Sequence, residues 1–147
     1  MDLNTKLMVA HTRLAHTFMI TLGKNLEDLG LSVSHYSILD HLDHVGMAKT
    51  QALCRVALLT SGSITHAVNQ LVEKGYVHKV PCLDDKRVTW IELTQAGKAA
   101  FKAVQAQHLT YLNWLFEDFS EDEKLAFIDQ IKHFGLSITQ KIGLEQE

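Results

Sequence analysis

The sequence predicts a mainly α-helical fold with a small β-hairpin. Apolar residues recur at steps of three and four along most of the chain, which is the period of amphipathic helices. One short stretch changes instead to alternating β-branched and aromatic residues, which is typical of strands. The chain has one proline among 147 residues, and its 46% hydrophobic and 21% charged residues are typical of a globular protein. We therefore expect a single domain over residues 1–147.

The first two helices are marked by their apolar faces and by the glycines that follow them. The first helix is predicted from Leu3 to Leu29, and Gly30 follows as its C-cap. Ser34 is expected to cap the second helix, which ends at Gly46.

The third and fourth helices are separated only by the tight turn from Leu58 to Ser61. Thr50 begins the third helix, Thr60 or Ser61 caps the fourth, and Gly75 ends the fourth. The apolar residues of the fourth helix are spaced to face a core: Ile64, Val68, Leu71 and Val72.

A two-stranded hairpin and two more helices complete the chain. Residues 76–81 and 87–94 have the composition of strands, and a polar turn separates them. Thr94 is expected to cap a fifth helix that reaches residue 119, and Ser120 with Glu123 predicts the capping box of a sixth. This order of elements is the outline of a winged helix-turn-helix, with residues 34–98 as its DNA-binding part.

The outer face of the fourth helix is polar but almost free of charge. Uncharged donors and acceptors of this kind contact base edges in the major groove, and Asn and Gln suit adenine. The alternative is a hydrophilic surface helix with no partner. The residues of this face are Ser63, Thr65, His66, Asn69 and Gln70.

The hairpin tip adds positive charge to the same region. Lys86 and Arg87 can reach a DNA backbone or the minor groove, and Asp85 can hold Arg87 extended by a charge-assisted hydrogen bond. Residues 48–98 contain seven basic and four acidic side chains, although the whole chain has a net charge of −3. The alternative is a solvated turn with a weak surface ion pair.

Two stretches, LTSGSITHAVNQLVEKGYV and DDKRVTWIELTQAGK, resemble the MarR family of bacterial winged-helix regulators. The resemblance covers nearly the whole chain. It implies a homodimeric DNA-binding transcription factor that represses its targets and is released from a palindromic operator by a small molecule or an oxidant. The two stretches are most similar to members that respond to quinones and other small aromatic compounds.

The resemblance also implies particular contacts. By position, the residues that meet the major groove are Ser61, Ser63, Thr65 and His66, and the same face continues with Asn69 and Gln70. The β-hairpin is the wing of this family, and its acid–arginine pair corresponds to Asp85 and Arg87. His66 and Val80 depart from the family pattern, because many members have arginine at these two positions. The loss of two fixed cations weakens phosphate or guanine contacts.

The first and sixth helices contain more apolar residues than one small winged-helix core can bury. Left exposed, they would form a larger patch than a monomer normally tolerates. We therefore expect residues 1–30 and 99–147 to pair with a second copy across a two-fold axis. The alternative is a monomer in which these helices fold back on the domain.

A ligand cavity is expected between the dimerisation helices and the winged part. The aromatic residues available for it suit a small planar aromatic acid or a phenol. These residues are Phe18, His35, Tyr36, Tyr111 and Trp114.

Other kinds of site have weaker support in the sequence. The nine histidines lack metal-ligand spacing with a thiolate, so we expect no metal, and no cofactor motif or enzyme motif is present. Cys54 is interpreted as core, whereas Cys82 is either an oxidation switch or a chance turn residue. With no signal peptide and no membrane span, a cytoplasmic protein is expected. The alternative function is a winged-helix protein-interaction module without sequence-specific DNA binding.

Overall fold

The computed structural model describes residues 2–82, residue 85 and residues 88–143. Its helices and strands are α1 (Leu3–Asp28), α2 (Val33–Val45), β1 (Met47–Lys49), α3 (Thr50–Val56), α4 (Ser61–Glu73), β2 (Val77–Pro81), β3 (Thr89–Leu93), α5 (Gln95–Leu115) and α6 (Glu121–Lys141). The expected fold class, mainly α-helical with a small β-hairpin, is confirmed.

The sheet has one strand more than the two that we expected. Strands β2 and β3 form the antiparallel hairpin, with Val80 opposite Trp90. Strand β1 pairs antiparallel with the other edge of β3, with Ala48 opposite Ile91, so the strand order is β1-β3-β2. The expected two-stranded hairpin is therefore confirmed, and β1 was not predicted because three residues are too few to display the alternation of a strand.

Most of the helix caps in the structure are the residues that the sequence predicted. Thr60 caps α4, and Ser120 with Glu123 forms the complete capping box of α6. The expected cap of α2 was wrong: Ser32 accepts the hydrogen bond of the His35 amide at 3.1 Å, and Ser34 lies inside the first turn. Helix α5 ends at Leu115, four residues before the expected end.

The core of residues 1–109 lies between the helices α2, α3 and α4 and the three-stranded sheet. Helix α4 buries Ile64, Val68 and Leu71 as expected, and also Ala67. Val72 was expected to face inward but is 38% exposed, because it lies about 100° around the helix from Leu71.

The start of α5 is fixed against the turn between α4 and β2. The Thr94 hydroxyl donates to the Gly75 carbonyl at 2.6 Å and accepts from the Gly97 amide at 2.9 Å. A Cβ atom on Gly97 would lie only 1.9 Å from the carbonyl oxygen of Tyr76, so this close approach of two backbones requires glycine. These contacts hold the hairpin in a fixed position behind α4.

The chain divides into two compact units, residues 1–109 and residues 110–147, and the boundary falls within α5. In the second unit, α6 leaves its apolar stripe exposed; its members are Leu125, Ile128, Ile131, Phe134 and Ile138. In the first unit, α1 exposes Leu3, Leu7, Met8, Leu14, Met19 and Ile20. Within the described residues, no helix has both the length and the apolar character that a membrane span requires.

Candidate nucleic-acid interface

The outer face of α4 is exposed to solvent over most of its length. Five of the predicted contact residues on this helix are exposed, namely Ser61, Ser63, Thr65, His66 and Asn69. The opposite side of the helix is buried in the core, so the rotation of α4 about its axis is fixed. The helix therefore presents one defined polar surface.

Two hydroxyl groups on this surface are oriented by local hydrogen bonds. The Thr65 hydroxyl donates to the Ser61 carbonyl at 3.1 Å, and the Ser63 hydroxyl lies 2.9 Å from the hydroxyl of the cap, Thr60. A hydroxyl has two lone pairs as well as its proton, so a hydroxyl that donates locally keeps acceptor capacity.

The turn before α4 is held by the partly buried Cys54. Its thiol donates to the Leu59 carbonyl at 2.7 Å, and the Leu59 amide donates to the Cys54 carbonyl at 3.0 Å. Between them Leu58 adopts a φ of 53°, a left-handed conformation that costs a non-glycine residue about 1–2 kcal/mol. Cys54 packs against the core, as expected, and its thiol also closes the turn between α3 and α4.

Gln70 differs from the other predicted contact residues because it is half-buried. The ring of the buried His35 on α2 hydrogen-bonds to the Gln70 side chain and to the backbone of Ala67. Burial lowers the pKa of His35, although these hydrogen bonds oppose the shift and the nearby Lys74 and His66 charges add to it. His35 therefore connects α2 to the inner edge of α4.

Asn69 is linked to the hairpin by a single short hydrogen bond. The Lys79 ammonium on β2 donates to the Asn69 amide oxygen at 2.7 Å, and both side chains are exposed. Sequence analysis included Lys79 only in the number of basic residues in this region. The pattern that could have identified it is the alternation of β2, because Lys79 lies two residues after the buried Val77 and therefore on the same face of the strand.

The predicted wing cations, Lys86 and Arg87, lie outside the described residues. The base of the turn is described: the Val88 amide donates to the Asp85 carbonyl at 2.9 Å, and the Cys82 amide donates to the Val88 carbonyl at 3.1 Å. The turn therefore closes between Cys82 and Val88.

A further cation lies on the outer face of the sheet. Lys49 of β1 is opposite Trp90 of β3, and its ammonium lies 5.3 Å from the centroid of the indole ring. This cation–π contact orients a positive charge next to the wing. Sequence reasoning did not identify it, because β1 itself was not predicted.

The residues of the predicted ligand cavity are divided between the two units. Phe18, His35 and Tyr36 belong to residues 1–109, whereas Tyr111 and Trp114 belong to residues 110–147. In the first unit, Phe18 is half-buried. In the second unit, the rings of Tyr111 and Trp114 lie 5.5 Å apart.

The adjacent residues His35 and Tyr36 have different neighbours. The Tyr36 ring lies 5.4 Å from that of Phe101 and 4.9 Å from that of His108. Burial raises the pKa of Tyr36, and the charge of Asp40 adds a smaller effect. Burial lowers the pKa of His108, whose Nδ1 atom lies 2.7 Å from the Asn25 amide oxygen. His35 instead faces α4.

The histidines and carboxylates show no metal-like arrangement in the part of the chain that the structure describes, where no three possible ligands converge. Several take part in local pairs instead. His78 of β2 lies 3.2 Å from Glu92 of β3, and His44 lies 2.7 Å from the Asp40 carbonyl oxygen.

The fold and the exposed face of α4 define a winged helix-turn-helix protein. The MarR family model matches residues 29–88. The transcriptional regulator SarZ of Staphylococcus haemolyticus is 30% identical over 108 residues, which are 70% of this chain and 69% of that protein. The regulator MhqR of Bacillus subtilis is 26% identical over 135 residues, which are 92% of this chain and 93% of that protein. The chain belongs to the MarR family of DNA-binding transcriptional regulators, which are not enzymes.

Solved structures share the fold. AbsC, a MarR family regulator from Streptomyces coelicolor, superposes with a TM-score of 0.83 at 18% identity, covering 95% of this chain and 97% of that one. A mutant of E. coli MarR in complex with operator DNA has a TM-score of 0.73 at 22% identity, covering 91% and 99%. An organohalide-sensing regulator in its 2,4-dichlorophenol-bound form has a TM-score of 0.77 at 20% identity, covering 91% and 80%.

The lowered pKa of His35 predicts that acid destabilises the fold. The unfolded chain binds a proton near the ordinary histidine pKa of 6.5, whereas buried His35 resists protonation. The free energy of unfolding should therefore fall as the pH drops below 6.5, by at most about 1.4 kcal/mol per pH unit for one proton. The fall should stop once the pH reaches the lowered pKa of the folded state. Urea unfolding at pH 7.5 and at pH 5.5 measures the difference in the free energy of unfolding.

The matched variants are His35→Gln and, as a control, His11→Gln at an exposed position of α1. The His35 variant should show a smaller difference between the two pH values, and the control should match the wild type at the same protein concentration. An unchanged pH dependence in His35→Gln would contradict this account.

Proposed function

We propose that this protein is a cytoplasmic repressor that binds a palindromic operator as a homodimer and is released by a small aromatic or phenolic ligand or an oxidant. The observation that supports DNA binding most strongly is the exposed, uncharged polar face of α4, whose orientation is set by the buried opposite face. The operator complex of the E. coli MarR mutant, which shares the fold, also supports it.

The proposed base contacts are Ser61, Ser63, Thr65, His66 and Asn69, with Gln70 at the inner edge of the face. Hydroxyl, imidazole and amide groups can donate to or accept from base edges in the major groove, where each base pair has its own pattern. Lys86 and Arg87 of the wing supply sequence-independent attraction to phosphate, with Asp85 supporting Arg87. We assign DNA binding to residues 34–98.

The homodimer is proposed from the exposed apolar residues of α1 and α6. Side chains such as Met19 and Ile20 on α1 and Ile131 and Ile138 on α6 are all at least 47% exposed in one protomer. A two-fold arrangement buries the same patch on both copies, through residues 1–30 and 99–147. It also spaces two α4 helices by about one turn of DNA, roughly 34 Å, as a palindrome requires.

Charge in the α6 stripe should disrupt the dimer. Ile131→Glu and Ile138→Glu would each bury an unpaired carboxylate in the proposed interface, so the dimer dissociation constant should rise by more than about tenfold. Gln140→Glu adds the same charge on the opposite side of α6 and should leave dimerisation unchanged. Sedimentation analysis over a range of protein concentrations measures the dimer dissociation constant of each variant. If both isoleucine variants dimerise like the wild type, the interface lies elsewhere.

The proposed effector is a small aromatic acid, phenol or quinone. Phe18 and Tyr36 of residues 1–109 offer aromatic surfaces, as do Tyr111 and Trp114 of residues 110–147. The Tyr36 hydroxyl offers a polar group for orientation, whereas the ring of His35 faces α4. The organohalide-sensing regulator that shares the fold was solved with 2,4-dichlorophenol bound, which supports a phenol.

A thermal-shift panel tests the effector class, with cyclohexanecarboxylate as the non-aromatic control. A ligand at 100 times its dissociation constant stabilises the folded state by about 2.7 kcal/mol, so the midpoint of unfolding should rise with an aromatic member of the panel. The same compound should release bound DNA. If no aromatic compound stabilises the protein or weakens its binding to DNA, the proposed effector class is wrong.

Variants of the wing and of α4 should have different effects on DNA binding. Arg87→Ala removes a phosphate contact, so affinity for every sequence should fall and the slope of log affinity against log salt should decrease by about one unit. His66→Ala and Asn69→Ala should instead relax the preference at one or two base pairs of each half-site, at about 1–3 kcal/mol per lost contact. Gln70→Ala should have a smaller effect.

Salt titrations and selection from a random DNA library measure these effects. An unchanged salt slope in Arg87→Ala would mean that Arg87 does not approach DNA. Weak binding of the wild type at every salt concentration would favour a protein-interaction module.

A further inference from the structure

The hydrogen bond between Lys79 and Asn69 determines which atoms of Asn69 can face DNA. Lys79 lies on the edge strand β2 opposite the buried Ile91, so its side chain shares the helix-facing side of the sheet and reaches α4. Its ammonium has three donors and no acceptor, so the atom that it contacts at 2.7 Å must be the amide oxygen of Asn69. The oxygen therefore faces β2, and the amide N–H groups face away from it.

This orientation conflicts with the usual recognition of adenine by asparagine. That pairing needs both atoms of the amide at once, with the oxygen accepting from adenine N6 and the nitrogen donating to N7. With its oxygen held toward β2 by Lys79, the amide turns its two N–H donors toward the groove. Guanine offers two acceptors on its major-groove edge, N7 and O6, and suits such a group better.

We propose that Lys79 is a positioning residue that holds Asn69 as a hydrogen-bond donor, so that the protein prefers guanine over adenine where Asn69 meets the major groove. The inference rests on the proposed function, in which α4 enters that groove. It replaces the preference for adenine that the residue type alone indicates. Because its donor is an ammonium, the bond is charge-assisted, and its removal frees the amide to rotate.

Gln70 does not compete for this role, because its side chain is engaged by buried His35. Asn69 is exposed and shares a strip of α4 with Thr65 and His66, at steps of three and four residues. The base preference controlled by Lys79 should therefore fall within the bases that this strip contacts.

Selection of bound sequences from a randomised library, with the full-length protein, tests the inference. Asn69→Ala identifies the position in each half-site where preference is lost, and the wild type should select guanine there. In Lys79→Met the recovered ratio of adenine to guanine at that position should rise by about tenfold, because the freed amide can make both hydrogen bonds to adenine. Lys79→Arg retains a donor at the same place and should keep guanine.

Two further variants separate orientation from charge. Asn69→Asp turns the side chain into an acceptor, which should change the selected base to cytosine through its N4 donor. Lys74→Met removes the same charge from the end of α4 and leaves the Lys79 bond in place. It should lower affinity for all sequences without changing the preferred base.

The inference is overturned if the wild type selects adenine at the Asn69 position, or if Lys79→Met selects the same base as the wild type while Asn69→Ala relaxes it. Either result leaves the proposed function intact, because binding would still be sequence-specific. A wild-type protein that selects no sequence at all would overturn the proposed function and this inference together.

Discussion

Burial of one face of α4 is the constraint on which the candidate interface depends. Ile64, Val68 and Leu71 are each at most 2% exposed, and each stabilises the fold by about 1.5–3 kcal/mol relative to an exposed side chain. Rotation of the helix by even one residue would expose part of this set and bury polar groups. The polar face is therefore directed outward by the energetics of the core and needs no DNA to orient it.

Two side chains on neighbouring elements contact residues of that face and limit the orientations of their amide groups. Buried His35 engages Gln70 from α2, and Lys79 engages Asn69 from β2. The position of β2 depends in turn on the contacts of Thr94 with Gly75 and Gly97, which fix the hairpin to the end of α4. The surface that we propose to contact DNA is thus a property of the helix together with the elements that flank it.

Local signals were sufficient to predict α4 and much of the fold. The cap at Thr60, the spacing of Ile64, Val68 and Leu71, and the capping box of α6 are all encoded within a few residues of chain. The alternation of residues 87–94 likewise identified β3 as a strand. The family resemblance that α4 and the hairpin carry was confirmed by the family model and by the relatives.

What sequence reasoning missed depends on contacts between distant elements. Strand β1 exists because it pairs with β3, more than forty residues later, and three residues alone carry no strand pattern. The cap of α2 is a local exception: Ser32 and Ser34 are both suitable residue types, and only the structure shows that the Ser32 hydroxyl accepts from the His35 amide. Lys79 resembled any exposed lysine until β2 was placed beside α4.

Methylation interference on guanine N7 tests most directly whether the outer face of α4 enters the major groove. The N7 atom lies in that groove, so a methyl group there blocks close approach of a helix. The account predicts that methylation weakens binding at two clusters of guanines separated by about one helical turn, one in each half-site. Sequence-specific binding that no N7 methylation weakens would contradict it.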